Sequence, residues 1–96
     1  MEACVYILRC SDDSYYVGLT RNEPEERLWE HNNKVVPGYT ASRTPVELVY
    51  VERYERIVEA IARELQLKKW TRRKKEALIR GDYESLPDLA SRPKRT

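Results

Sequence analysis

Residues 5–18 read VYILRCSDDSYYVG, and this stretch decides the fold. β-Branched and aromatic residues fill both ends, whereas the four polar residues at positions 11–14 are typical of a turn. The pattern predicts a β-hairpin whose strands cover Ala3–Arg9 and Tyr15–Thr20.

Each strand of the predicted hairpin carries a tyrosine, Tyr6 in the first and Tyr16 in the second. Side chains alternate between the two faces of a strand, so the two rings share a face only if the strands pair in an even register. Cys10 opposite Tyr16 is one such pairing, and it requires an odd loop or a bulge. A hairpin whose tyrosines only pack is the alternative.

The rest of the chain continues with one more strand and three helices. The expected segments are a helix from an N-cap at Asn22 to Asn32 or Asn33, an ordered loop over 34–44, a strand over Val46–Tyr54, a helix over Arg56–Trp70, and a helix from an N-cap at Thr71 to Arg80 that ends at Gly81. The order β-β-α-β-α-α predicts an α+β domain with a three-stranded antiparallel sheet flanked by helices. Residues 1–90 are expected to form this domain, with one further turn within 82–90, and residues 91–96 a basic tail.

The totals place the chain among small single-domain proteins with reduced thiols. Ninety-six residues suffice for one core. Cys4 and Cys10 lie about 20 Å apart along one strand, too far to form a disulfide. We see no apolar signal segment or long apolar run, and one histidine is too few for a Cys/His zinc site. We therefore expect a cytoplasmic protein without a membrane anchor or small-molecule cofactor.

Charge is distributed unevenly along the chain. Residues 1–61 carry seven basic and eleven acidic side chains, whereas residues 62–96 carry eleven basic and five acidic ones. A basic helical half favours a polyanion partner such as nucleic acid. A solvated, charged helix face is the competing interpretation.

The first helix offers a pair of residues that can bind an anion. Arg27 and His31 are four apart and so project from one face. Arginine provides a permanent charge and several donors, and histidine exchanges a proton near neutral pH. The structural alternative is that these residues have no role in binding. Arg27 would then form an ion pair with Glu23 or Glu30, and His31 would be a partly exposed histidine.

The long helix presents a carboxylate beside an apolar stripe. The stripe, which we expect to be buried, consists of Ile57, Val58, Ile61, Ala62 and Leu65. Glu64 lies at its rim, and a carboxylate there needs a partner. The candidates are Lys68 one turn later, an arginine from elsewhere, or a divalent cation.

Four segments in order resemble the GIY-YIG nuclease superfamily, especially its small stand-alone bacterial members. They are CVY at 4–6, YVG at 16–18, RLWEHN at 27–32, and AIARE at 60–64 followed by LKKW at 67–70. The likeness covers nearly all of residues 3–80.

This resemblance implies hydrolysis of a phosphodiester bond in DNA with one Mg²⁺ or Mn²⁺ ion. Glu64 would bind the metal, and Arg27 would stabilise the phosphate. Tyr6 and Tyr16 would position or deprotonate the attacking water, and the resemblance does not distinguish which of them is the base. His31 would carry a proton or contact the phosphate.

The resemblance also implies a DNA partner, branched or damaged DNA included, bound by a monomer. The expected backbone contacts are Tyr39, Arg43, Lys68, Lys69, Arg72, Arg73, Lys74 and Lys75. Two departures from the family suggest a restricted activity. Leu19 follows the second motif where some relatives have lysine. Some relatives also have an asparagine beyond the helix that carries the glutamate, whereas no asparagine follows Asn33 in this chain.

Three functions follow from these residues. The first is a DNA nuclease acting in DNA repair or processing. The second is a non-catalytic nucleic-acid-binding module on the same scaffold, and the third is an interaction adaptor that uses the region of Trp70. The nuclease requires Tyr6, Tyr16, Arg27, His31 and Glu64 to converge on one concave surface.

Overall fold

The elements of the structure, a computed structural model that describes residues 2–86, follow the predicted order. They are β1 (Ala3–Arg9), β2 (Tyr15–Thr20), α1 (Pro24–Asn32), β3 (Glu47–Tyr54), α2 (Ile57–Lys68) and α3 (Arg72–Arg80), with 3-10 turns at Tyr39–Ser42 and Tyr83–Ser85. The α+β class is confirmed. The predicted tail at 91–96 and the segment 87–90 lie outside the described residues. Within residues 2–86, no helix is both long and apolar enough to cross a bilayer.

The three strands form one antiparallel sheet in the order β2-β1-β3. Tyr6 lies opposite Gly18, and Tyr16 lies opposite Leu8, across an odd connection formed by residues 10–14. The even register is therefore confirmed, and Tyr6 and Tyr16 share a face. The partner of Tyr16 is Leu8, not Cys10.

Each face of the sheet supports its own core because β1 is central and buried on both sides. One face carries Val5, Ile7 and Val17 and packs against α2 and α3. The other carries Tyr6 and Leu8, against which Leu28 of α1 packs. Cys4 and Cys10 are buried, free thiols, as expected.

Helix α1 begins one residue later than predicted, with Glu23 and not Asn22 as its N-cap. Pro24 explains the difference, because a proline restricts the preceding residue to extended backbone. Glu23 accordingly has φ −67° and ψ 138°, the conformation that an N-cap needs. The helix-terminal signals of α3 are confirmed: Thr71 accepts a hydrogen bond from the Lys74 amide, and Gly81 is left-handed at φ 78°.

The predicted apolar stripe of α2 is wrong at most of its positions, although Ile57 packs against the larger core. Val58, Ile61 and Leu65 are 64%, 42% and 54% exposed, whereas the residues that α2 buries completely are Ala60 and Leu67. The helix ends at Lys68, so Trp70 lies just beyond it and packs in the larger core.

A partly buried ion pair accompanies the rotation of α2 away from the predicted stripe. Arg63 donates from Nε and a terminal nitrogen to the carboxylate of Glu52 on β3, at 2.9–3.3 Å. Tyr50 and Tyr54 also donate their hydroxyls to Glu52. This network places a charged side chain of α2 against the sheet, where periodicity predicts an apolar one.

The ring of Tyr6 crosses the neighbouring strand directly over Gly18. A Cβ atom at position 18 would overlap Cζ and Oη of Tyr6. The absence of a side chain at this position therefore makes room for the Tyr6 ring over the neighbouring strand.

We predict that Gly18→Ala destabilises the protein by about 2 kcal/mol, as overpacking of a filled core does. Urea unfolding measures the change. In a Tyr6→Leu background, which lacks the overlapping ring atoms, the same substitution is expected to cost much less. Equal costs in both backgrounds would show that the ring is not the constraint.

Candidate active site

Three buried polar side chains form a continuous chain from β1 through α1 to the turn at 39–42. The hydroxyl of Tyr6 lies 2.9 Å from Nε2 of His31, and Nδ1 of His31 lies 2.7 Å from Oγ1 of Thr40. None of the three residues is more than 1% exposed. His31 is thus buried behind Tyr6 and does not face solvent, contrary to the partly exposed histidine of the structural alternative.

Burial governs the proton affinities in this chain. It raises the pKa of Tyr6 to about 12, against the opposing influence of the neighbouring Arg27. It lowers the pKa of His31, and the charge of Arg27 lowers it further. Both side chains are therefore neutral at pH 7.

Tyr16 lies beside this chain and forms the outer part of the cluster. Its ring centroid is 5.2 Å from that of His31 and 6.4 Å from that of Tyr6. Tyr39 stacks on Tyr16 at 6.1 Å, and the guanidinium of Arg43 lies 3.8 Å above the Tyr39 ring. The turn at 39–42 therefore contributes one wall of the site.

Arg27 lies beside the Tyr6 hydroxyl and forms an ion pair with Glu30 at 2.9 Å. Burial alone would lower the pKa of Arg27, but its interactions with Tyr6 and Glu30 outweigh that effect and raise it. Its Nε atom is buried and has no hydrogen-bond partner among the described residues. A guanidinium with an unused donor is typical of a site that a ligand completes.

Glu64 belongs to α2, which packs on the other face of the sheet, and it forms an ion pair with Lys68. The Lys68 ammonium lies 2.8 Å from the Glu64 carboxylate, whose side chain is only 14% exposed. Glu64 raises the pKa of Lys68, and the nearby Tyr16 hydroxyl adds to the shift. Of the three partners that the sequence allowed for Glu64, the structure shows lysine.

The residues around Glu64 fit a cation held by one protein carboxylate. Among residues 2–86, no three His, Cys, Asp or Glu side chains are grouped to hold a metal ion. Mg²⁺ commonly binds one or two carboxylates and takes its other ligands from water and substrate phosphate. Glu64 can serve in this way because the side chain of Lys68 is half exposed and free to move aside.

The predicted nucleic-acid contacts are divided among separate parts of the structure, with Tyr39 and Arg43 at the turn and Lys69 and Lys74 at the cavity between α2 and α3. Arg43 is held by Asp12 and by the Tyr39 carbonyl. Arg72 packs over Tyr15 and pairs with Glu76, so it supports the opposite face of the hairpin. Arg73 is exposed on α3, one residue further along.

A cavity of about 560 Å³ lies between α2 and α3, away from the tyrosines. Its lining includes Leu65, Lys69, Trp70 and Lys74, and none of the five predicted site residues. Trp70 is 9% exposed and belongs to the larger core. Its ring therefore packs mostly inside the protein, and the cavity is what the region of Trp70 offers to a partner.

Two residues that shape the site carried no role in the sequence prediction. Thr40 follows His31 by nine positions in a segment that has no helical or strand periodicity. Asn32 exchanges two hydrogen bonds with the backbone of Val46, at 2.7 and 3.0 Å, and so ties α1 to the start of β3. The motif RLWEHN contains Asn32, but only the fold reveals what it binds.

We predict that lowering the pH from about 7.5 to about 5.5 reduces the free energy of unfolding. The unfolded chain binds a proton at its single histidine near pH 6.5, whereas the folded chain, with its lowered pKa, binds that proton only at more acidic pH. The groups facing His31 are Tyr6 and Tyr16 from the strands and Arg27 and Glu30 from α1.

Urea unfolding across this pH range measures the effect, with His31→Gln as the matched variant. The variant is expected to lose less stability than the wild type over the same range. Equal losses would show that His31 is not the group responsible.

Comparison with known proteins agrees with this architecture. The GIY-YIG catalytic domain family matches residues 2–77. A UPF0213 protein from Clostridium perfringens (strain 13 / Type A) is 49% identical over 75 residues, which cover 78% of this chain and 80% of that protein. A UPF0213 protein from Staphylococcus aureus (strain Mu3) is 45% identical over 76 residues, covering 79% and 92%.

Two solution NMR structures are similar over nearly the whole chain. A UPF0213 protein from Bacillus halodurans has a TM-score of 0.55 at 35% identity and covers 94% of this chain and 98% of its own. A protein from E. faecalis has a TM-score of 0.56 at 34% identity, with coverages of 100% and 96%. The chain belongs to the GIY-YIG catalytic domain family.

Proposed function

We propose that this protein is a divalent-metal-dependent endonuclease that hydrolyses phosphodiester bonds in DNA, in DNA repair or processing. The observation that carries the proposal is the Tyr6–His31 hydrogen bond at 2.9 Å with Arg27 beside it. This arrangement places a proton acceptor, His31, close to a permanent cation, Arg27. Hydrolysis of a phosphate ester requires both kinds of group. The family implies a nucleic-acid substrate in general.

Tyr6 acts as the base through His31. A pKa raised to about 12 means that Tyr6 does not ionise in advance. It accepts the proton of the attacking water while its own proton moves to Nε2 of His31. Tyr16, less buried and adjacent, positions the water and the phosphate.

Arg27 stabilises the negative charge on the phosphate oxygens. Its side chain is one-third exposed, and Glu30 engages only one terminal nitrogen in the described structure. Donors therefore remain for a phosphate in the planar geometry that guanidinium provides.

Glu64 would hold the cation, Mg²⁺ or Mn²⁺, in place of its ion pair with Lys68. The ion supplies further neutralisation of phosphate charge when it is bound. Tyr39 and Arg43 border the site and, with Lys69 and Arg73, contact the DNA backbone. The protein acts as a monomer without a further cofactor.

We predict that the purified protein cleaves DNA in the presence of Mg²⁺ or Mn²⁺. The assay uses plasmid, single-stranded, flap and branched DNA. Glu64→Gln and Arg27→Gln are each expected to reduce the rate by about a hundredfold or more, the size typical of losing one charge-stabilising group. Glu59→Gln, an exposed residue of the same helix, is the matched control and should leave the rate unchanged.

Cleavage that does not depend on Glu64 would contradict the proposal. Salt-sensitive DNA binding without any cleavage would instead support the non-catalytic module.

We predict that Lys68 competes with the metal for Glu64. Lys68→Met is expected to tighten Mn²⁺ binding by about two- to fivefold, because a partly exposed ion pair contributes up to about 1 kcal/mol. The electron paramagnetic resonance signal of free Mn²⁺ measures binding without any need for cleavage.

Two further variants make the Mn²⁺ measurement specific. Lys69→Met removes a neighbouring positive charge that does not pair with Glu64 and should have little effect. Glu64→Gln should abolish the site, and unchanged Mn²⁺ binding in that variant would place the metal elsewhere.

A further inference from the structure

Thr40 is the last residue of the buried chain that begins at Tyr6 and continues through His31. The proposed function assigns it no role. It lies on the turn at 39–42, is 1% exposed, and places Oγ1 2.7 Å from Nδ1 of His31. No solvent reaches this contact, since His31 is fully buried. The hydroxyl of Thr40 is therefore the group that satisfies Nδ1.

A neutral imidazole carries one N–H donor and one bare nitrogen, and its neighbours decide which nitrogen is which. If Nδ1 carries the hydrogen, it donates to Thr40, and Nε2 accepts the hydrogen bond from Tyr6. If Nε2 carries the hydrogen, it donates to Tyr6 instead. Only the first arrangement lets Tyr6 pass a proton to His31.

Arg27 selects between these two arrangements. Its guanidinium lies beside the Tyr6 oxygen and has donors but no acceptor. Of these two neighbours of the Tyr6 hydroxyl, only Nε2 of His31 can accept its proton. Nδ1 then carries the other hydrogen and donates it to Oγ1 of Thr40.

We propose that Thr40 is a positioning residue that fixes His31 in the tautomer protonated on Nδ1, so that Nε2 stays free to accept the proton of Tyr6. This inference rests on the proposed function in one respect, that the Tyr6 proton moves during the reaction. When water attacks the phosphate, a P–O bond forms to the water oxygen, the P–O bond to the leaving sugar oxygen breaks, and that oxygen takes a proton from solvent. One O–H bond of the attacking water breaks, and its proton binds Tyr6 Oη. The former hydroxyl proton of Tyr6 binds Nε2, and the resulting imidazolium still donates from Nδ1 to Thr40.

NMR can test this directly because His31 is the only histidine in the chain. Long-range ¹H–¹⁵N correlations of the ¹⁵N-labelled protein above pH 7 report which ring nitrogen carries the hydrogen. The wild type is expected to show a protonated Nδ1 and a bare Nε2. Thr40→Val, which keeps the shape but removes the acceptor, is expected to shift the population toward the Nε2–H tautomer, and Thr40→Ser is expected to restore Nδ1–H.

A wild type protonated on Nε2 overturns the inference, even if Thr40→Val does not fold. A Thr40→Val protein that keeps the wild-type tautomer also overturns it. These readouts need no nuclease activity, so an inactive wild type would contradict the proposed function and leave the tautomer result to stand on its own.

Cleavage kinetics provide the functional readout of the same variants. Thr40→Val is expected to lower kcat by about tenfold or more with KM little changed, because proton transfer and not binding is impaired. Thr40→Ser is expected to recover most of the rate. An equal loss in both variants would indicate a packing role for the threonine methyl group and would contradict the inference.

Discussion

The burial of the Tyr6 hydroxyl in the middle of the sheet is the constraint on which the site depends. β1 is buried on both faces, and Val5 and Ile7 belong to the larger core, so alternation puts Tyr6 on the side of α1. A phenol there must find a hydrogen-bond partner. His31 supplies it, and being buried itself, His31 needs a second partner, which is Thr40.

Local rules predicted most of the architecture because they depend on near neighbours. The hairpin follows from two β-forming runs around a polar turn, and the shared face of the two tyrosines follows from parity once the register is even. The Thr71 cap and the left-handed Gly81 are likewise set within one helical turn. The contact between Arg27 and Glu30 is one of the two pairings that helical spacing offered.

Contacts between distant elements were not predictable in the same way. Helical periodicity assumes that a helix buries its apolar face, yet α2 packs Arg63, partly buried, against Glu52 and leaves Leu65 more than half exposed. In the sequence, two opposite charges that pair within the fold cannot be distinguished from charged residues that face solvent. The expectation that Glu64 avoids the solvated side still holds, since Ala60 and Leu67, one turn to either side, are the buried positions. Thr40 was not identified because its partner comes from another element.

The electrostatics of the buried chain couple its proton chemistry to what binds at Arg27. In the free protein Arg27 lowers the pKa of His31, so the imidazolium that the proposed reaction forms is disfavoured. A phosphate held by Arg27 would neutralise that cation and remove part of the opposing field, and the proton affinity of His31 would rise. In the proposed reaction, transfer of the Tyr6 proton to His31 would therefore be less favourable without bound phosphate than with it. A site that remains neutral until an anion arrives avoids the cost of an uncompensated charge in a buried place.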